Sequence, residues 1–118
     1  MPDPGHPIRA VRWAGPQDAT AVVEATGDID LNHSPAFQSG LAEVLHRQPS
    51  GIIVDLSAVA YMDSSGVASL VKLLARSRQA KATLRLAGMN DRVRSIFETT
   101  RLDRVFDIFA TAEEALRT

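Results

Sequence analysis

The chain has no cysteine among its 118 residues, which removes disulfides, thiol nucleophiles and Cys-ligated zinc together and suits a reducing compartment. Neither sign of charge dominates. Thirteen basic residues against 14 acidic ones leave a formal net charge of -1, so there is no global pull toward nucleic acid or anionic lipid. Lysine is scarce, with only Lys72 and Lys81, and no histidine lies beyond His46. The second half is crowded with Arg76, Arg78, Lys81, Arg85, Arg92, Arg94, Arg101 and Arg104, but no aromatics are interleaved at a groove-tracking spacing. These cations read as solvated helix faces, and no direct nucleic-acid contact is expected. Apolar runs long enough to span a bilayer are missing, and "MPDPGHP" has neither a basic nor an apolar leader region. The sequence therefore predicts a soluble, cytoplasmic chain without membrane insertion.

What is present is ordinary for one globular domain: 45% apolar and 23% charged residues, at a length that buries well over half of the unfolded chain's surface. Three prolines and a glycine make residues 1–7 a flexible lead-in, and residues 8–118 read as the folded domain. "IRAVRW" from Ile8 alternates as a strand with one wet face. After the turn at Gly15 to Asp18, "TAVVEATGDID" forms a second strand hairpinned to the first. A helix follows with Ser34 as N-cap, Pro35 at its first position, and Phe37, Leu41, Val44 and Leu45 on one face. "GIIVDLS" has contiguous Ile52, Ile53 and Val54, the mark of a strand covered on both faces. From about Ser65 a helix places Val67, Leu70, Val71 and Leu74 inward. "ATLRLAG" is a further strand, and Asn90 caps a helix burying Val93, Ile96 and Phe97. "VFDIF" is a short edge strand, and Thr111 with Glu114 forms a capping box for a last helix burying Ala115 and Leu116. The expectation is an α/β domain with a mixed sheet of about five strands and about four helices.

The stretch "AYMDSSGVASLV" joins an extended segment to a helix with two adjacent hydroxyls, Ser64 and Ser65, behind Asp63. A serine there ordinarily caps the orphan N–H groups of the first turn. Gly66 removes bulk beside the hydroxyls, so a second protein could approach, and the helix N-terminus tolerates a phosphoryl group electrostatically. A hydrolase elbow would need glycine two residues either side of the nucleophile, yet Met62 stands before Ser64, and His6, His33 and His46 all lie upstream. An aspartyl-phosphate receiver built on Asp55 would need a late lysine, and none follows Lys81. Asp55 reads instead as a strand-end carboxylate capping the next loop. Asp28 and Asp30 read as solvated strand-end carboxylates; with no histidine at ligand spacing, no metal site is expected.

"VDLSAVAYMDSSGVASLV" resembles the signature of the STAS domain in bacterial anti-sigma factor antagonists, in which Asp-Ser-Ser/Thr-Gly opens a helix after a buried strand. "GDID" at Gly27 to Asp30 is similar to that family's Gly-acid-apolar-Asp motif, and "VRSIFETTRLDRVFDIFATAEEAL" to its C-terminal helix, strand and closing helix. The likeness spans about Ile8 to Leu116 and departs from the family after Gly66, where "GVAS" stands in place of the commoner Gly-Leu-Gly: Val67 is conservative, and Ala68 and Ser69 are the departures. It implies a single STAS domain that is not an enzyme and has no cofactor of its own. The implied phosphorylation site is Ser64, within a partner-binding surface of Asp28, Asp30, Asp63, Ser64, Ser65 and Gly66. Ser65 would then be the N-cap or a supporting hydroxyl, although the residues alone leave either serine as cap or acceptor. The implied partners are an anti-sigma factor that is also a serine kinase, which supplies the ATP and magnesium, and a serine phosphatase. The unphosphorylated domain would capture the anti-sigma factor and release a sigma factor. An alternative within the same family is an accessory subunit that binds the ATPase of an ABC-type lipid transport system.

Overall fold

The segment from Ile8 becomes an edge strand and the β-branched run at Ile52 the central strand of one sheet in the computed structural model, which describes residues 5–118. The elements are β1 (Ile8–Ala14), β2 (Thr20–Ile29), α1 (Ser34–His46), β3 (Gly51–Met62), α2 (Ser64–Gln79), β4 (Thr83–Ala87), α3 (Asp91–Thr99), β5 (Asp107–Phe109) and α4 (Ala112–Arg117). The strands lie in sequence order; β1 and β2 are antiparallel, and every later pairing is parallel. This is the mixed five-stranded sheet with a leading hairpin that the sequence predicts.

Strand alternation assigns the two faces. Ile52, Val54 and Leu56 join Phe37, Leu41, Leu70, Leu73, Val93 and Phe97 in the main core beneath α1, α2 and α3. Ile53 points the other way, to Val22, Ala87, Ala112 and Ala115 under α4. Both faces of β3 are thus covered, as its unbroken apolar run requires. Phe97 and Phe106 meet edge to face, with ring centroids 5.7 Å apart.

Several local expectations shift. β3 continues past Asp55 to Met62, because β2 keeps pairing with it through Thr26↔Ala58, Gly27↔Val59, Asp28↔Tyr61 and Ile29↔Met62 after β4 has ended at Ala87. On the side β4 leaves open, Asn90 Nδ2 donates to the carbonyls of Val59 (3.1 Å) and Ala60 (3.2 Å). Asp55 accepts the Ser57 N–H at 3.0 Å, a local turn bond inside the longer strand. Val71 faces solvent, 40% exposed, while Leu73 and Ser77 take the inward positions, since the buried stripe of α2 runs 67-70-73-77. Leu116 is only half-buried, leaving Ala112 and Ala115 as the inward residues of α4. Of the lead-in, residues 1–4 lie outside the described residues. Pro7 is buried, and its carbonyl accepts the Thr26 N–H at 2.8 Å, so this end of the lead-in is packed. No helix among the described residues is long and apolar enough to cross a membrane.

Among the described residues, Ser77 Oγ is the buried side-chain atom left without a hydrogen-bond partner. Ser77→Ala removes that desolvated hydroxyl and improves helix propensity, so it should stabilise the fold by about 1 kcal/mol. A higher urea midpoint at unchanged m-value is the expected readout.

Candidate functional site

Parallel pairing brings two turns side by side. Ile29 and Met62 are the last paired residues of β2 and β3, and the Asp63 N–H extends the ladder to the Ile29 carbonyl at 3.2 Å. The turn into α1 (Asp30 to His33) therefore lies against the turn into α2 (Asp63 to Gly66).

Asp63 is the N-cap of α2, in extended backbone conformation. Of the two roles expected of Ser65, N-cap or supporting hydroxyl, the first falls to Asp63. A carboxylate has lone pairs for several donors, and Asp63 fills them. Its Oδ1 accepts the N–H of Ser65 (2.9 Å) and of Gly66 (3.3 Å) and the Ser65 hydroxyl (2.5 Å). Its Oδ2 accepts the Leu31 N–H across the two turns at 3.1 Å. The Ser65 hydroxyl, helped by the three backbone N–H groups, holds the Asp63 carboxyl below the ordinary value of 3.8 against the opposing effect of desolvation. Ser65 is thus the supporting hydroxyl. Ser64, first residue of α2, is exposed, and its hydroxyl bonds to no described residue.

Asp30 caps the other turn. Ser34, expected as N-cap of α1, is already helical and buried, and His33 holds the N-cap position without a side-chain cap bond. The reason is that Asp30 supplies the acceptors: Oδ1 takes the N–H groups of Asn32 (3.0 Å) and His33 (3.1 Å), and its carbonyl takes that of Ser34 (2.8 Å). The same Oδ1 lies 2.7 Å from His33 Nδ1. That side-chain bond is the main reason the Asp30 carboxyl also sits below 3.8. A histidine three residues from Asp30 was the signal that reading by ligand spacing passed over. Asp28 is exposed at the end of β2, opposite Tyr61, and joins neither network. The six residues named from sequence thus separate into a cap (Asp63), its support (Ser65), a second cap (Asp30), an exposed carboxylate (Asp28), a free hydroxyl (Ser64) and Gly66.

Gly66 is buried where α2 leaves the sheet. A Cβ there would stand 2.6 Å from Met62 Cγ, 2.8 Å from the Ile29 carbonyl oxygen and 2.9 Å from Ile29 Cγ2. Its role is close packing of α2 on the strand ends, more than access for a second protein. Exposed apolar side chains stand on the segments that flank this turn. Leu31 is 73% exposed although its backbone is tied to Asp63, and Tyr61 is 40% exposed beneath the Arg92 guanidinium, 5.7 Å from the ring centroid. Val71 lies seven residues along the helix from Ser64. A large apolar residue held rigidly in solvent is the usual anchor of a protein interface. Neither Leu31 nor Tyr61 carries a sequence signal, because one loop leucine and one strand-end tyrosine are commonplace.

Both depressed carboxyls tie stability to pH. A carboxyl whose folded pKa lies below its unfolded one contributes fully above the unfolded value and loses that contribution as pH falls through the folded value. The melting temperature should therefore decline as pH drops below about 3.8. Asp63→Asn, which cannot titrate, should show a shallower decline by circular dichroism.

Residues 14–115 match the family model of the STAS domain. An anti-sigma-B factor antagonist of Listeria monocytogenes is 33% identical over 84 residues, covering 70% of this chain and 72% of its own. Among solved structures, an anti-sigma factor antagonist from Mycobacterium paratuberculosis superposes with a TM-score of 0.80 at 24% identity, over 92% of this chain and 91% of the other. The antagonist SpoIIAA matches in its unphosphorylated form with a TM-score of 0.74 (21% identity, 91% and 93% covered). Its phosphorylated form, from Bacillus, matches with 0.68 (20%, 92% and 97%). The chain belongs to the STAS-domain family of anti-sigma factor antagonists.

Proposed function

We propose that this chain is a binding regulator switched at Ser64. Unphosphorylated, it captures an anti-sigma factor through the surface of Leu31, Asp28, Asp30, Tyr61 and the first turns of α2, which frees a sigma factor; a phosphoryl group on Ser64 ends the binding. The anti-sigma factor acts as the serine kinase and brings its own ATP and magnesium, and a serine phosphatase restores the free hydroxyl. The chain works by association and catalyses nothing itself. A role beside the transcription machinery is cytoplasmic.

The observation that carries this reading is the unequal state of the two hydroxyls: Ser64 is exposed and bonds to no described residue, whereas Ser65 is committed to Asp63. The likeness to an anti-sigma-B factor antagonist and to the unphosphorylated and phosphorylated forms of SpoIIAA supports it. The mechanism follows from the cap. A phosphate at a helix N-terminus is ordinarily absorbed by free N–H groups. Here the Asp63 side chain already takes those of Ser65 and Gly66, and its carbonyl takes that of Val67 at 3.2 Å. The phosphate, with about 1.5 to 2 negative charges, would remain directed at the partner beside Asp28, Asp30 and Asp63. It would break the fit by charge and desolvation without requiring the fold to move.

The test is calorimetric titration of each purified anti-sigma factor of the host into the chain, before and after treatment with magnesium ATP and the host's kinases, with mass spectrometry to locate the phosphate. Binding that disappears with one phosphate on Ser64 supports the reading. Equal binding by both forms, or capture of a transporter ATPase in place of any anti-sigma factor, overturns it.

A further inference from the structure

Two serines stand side by side on one exposed turn, and a kinase that reaches one is a single residue from the other. Their hydroxyls nevertheless differ in availability. Ser65 Oγ donates to Asp63 Oδ1 at 2.5 Å, and the residue is partly buried; Ser64 is exposed with no hydrogen bond to a described residue. Ser65 is also fixed through its backbone, since its N–H donates to the same oxygen at 2.9 Å and its carbonyl accepts the Ser69 hydroxyl at 3.1 Å.

We propose that Asp63 is a positioning residue that confines phosphorylation to Ser64 by engaging the Ser65 hydroxyl. The inference rests on the phosphorylation reading above and adds what selects the site. Transfer to a serine forms an Oγ–P bond and breaks the bond from the γ-phosphorus of ATP to its bridging oxygen. ADP leaves, and the hydroxyl proton passes to a base on the kinase. The acceptor oxygen must therefore turn outward, in line with that breaking bond. Ser64 can do so freely. Ser65 must first surrender a hydrogen bond to a carboxylate, which slows its modification by roughly ten- to hundred-fold. Asp63 does not activate Ser65 in exchange, because its Oδ1 already takes two backbone N–H groups and is a poor proton acceptor.

The cap makes a discriminating pair of variants possible. Asp63→Ala removes both side-chain acceptor oxygens and frees the Ser65 hydroxyl. Asp63→Asn keeps one carbonyl oxygen for Ser65 and Gly66, and asparagine caps a helix as well as aspartate does; only the bond to Leu31 is lost. Wild type, Asp63→Ala and Asp63→Asn are each incubated with the host's anti-sigma factor kinases and magnesium ATP, and fragment mass spectrometry apportions the phosphate between Ser64 and Ser65. Amide exchange of Ser65 and Gly66 reports whether the cap persists, and thermal melting confirms that each variant is folded.

Wild type should carry phosphate on Ser64 alone, Asp63→Ala should show at least a ten-fold rise in the share on Ser65, and Asp63→Asn should restore selectivity. A folded Asp63→Ala that is still modified only at Ser64 overturns the inference and leaves the phosphorylation reading standing. If Asp63→Ala does not fold, Asp63→Asn decides: retained selectivity with protected Ser65 and Gly66 amides supports the proposal, and modification of Ser65 despite that protection overturns it. Wild type modified at Ser65, or by no kinase at all, removes both.

Discussion

Gly66→Ala should destabilise the fold by roughly 2–3 kcal/mol, a large loss for a substitution that normally favours a helix. Two of the three atoms that the new methyl would meet leave it no room. The Ile29 carbonyl oxygen at 2.8 Å is backbone at the end of a paired strand, and Ile29 itself is fully buried. Relief requires α2 to lift from the strand ends, which also stretches the Asp63 N–H to Ile29 carbonyl bond and the tie from Asp63 to Leu31. Partner binding should therefore fall together with stability. Gly40→Ala is the control. Its methyl would meet the Ile8 Cδ1 at 2.6 Å, but that atom is the end of a flexible side chain that can rotate away. Its loss should stay below about 1 kcal/mol, offset by helix propensity. Urea unfolding of both variants checks the contrast, and equal losses would show that crowding at Gly66 is not decisive.

On the proposed reading, Ser64→Glu should weaken capture of the anti-sigma factor by about 2–4 kcal/mol, roughly thirty- to thousand-fold, and Ser64→Ala by only a few-fold. The difference arises because alanine deletes an exposed hydroxyl that bonds to no described residue, whereas glutamate places an unpaired charge where the partner must exclude water. Neither should alter thermal stability much, since position 64 is exposed and the cap is made by Asp63. Calorimetry with melting curves separates the effects. Comparable affinity for both variants would remove Ser64 from the interface.

The elements themselves were largely legible. The mixed apolar and charged run from Ile8 located β1, although a bulge between Ile8 and Ala10 interrupts its alternation; the contiguous Ile52, Ile53 and Val54 announced a strand buried on both faces, and Asn90 and Thr111 stand where caps were expected, accepting the N–H groups of Val93 and Glu114. Local rules succeed there because a cap or an alternating strand depends on residues within a few positions. They failed where the deciding neighbour was remote. The length of β3 depended on β2 and on Asn90, about thirty residues away, and Val71 was expected inward because Val67, Leu70, Val71, Leu73 and Leu74 compete for a stripe that buries only Val67, Leu70 and Leu73 among them.

From order and composition alone came the α/β class, the leading hairpin, and the Asp63-Ser64-Ser65-Gly66 turn as the place where chemistry could occur. How the cap that engages the Ser65 hydroxyl is held in place was decided only by tertiary structure. Asp63 could have bonded outward, or left its capping work to Ser65, until parallel pairing of Ile29 with Met62 brought Leu31, 32 residues distant, to its second oxygen. A carboxylate has a small number of lone pairs, and the fold determines which donors arrive to fill them.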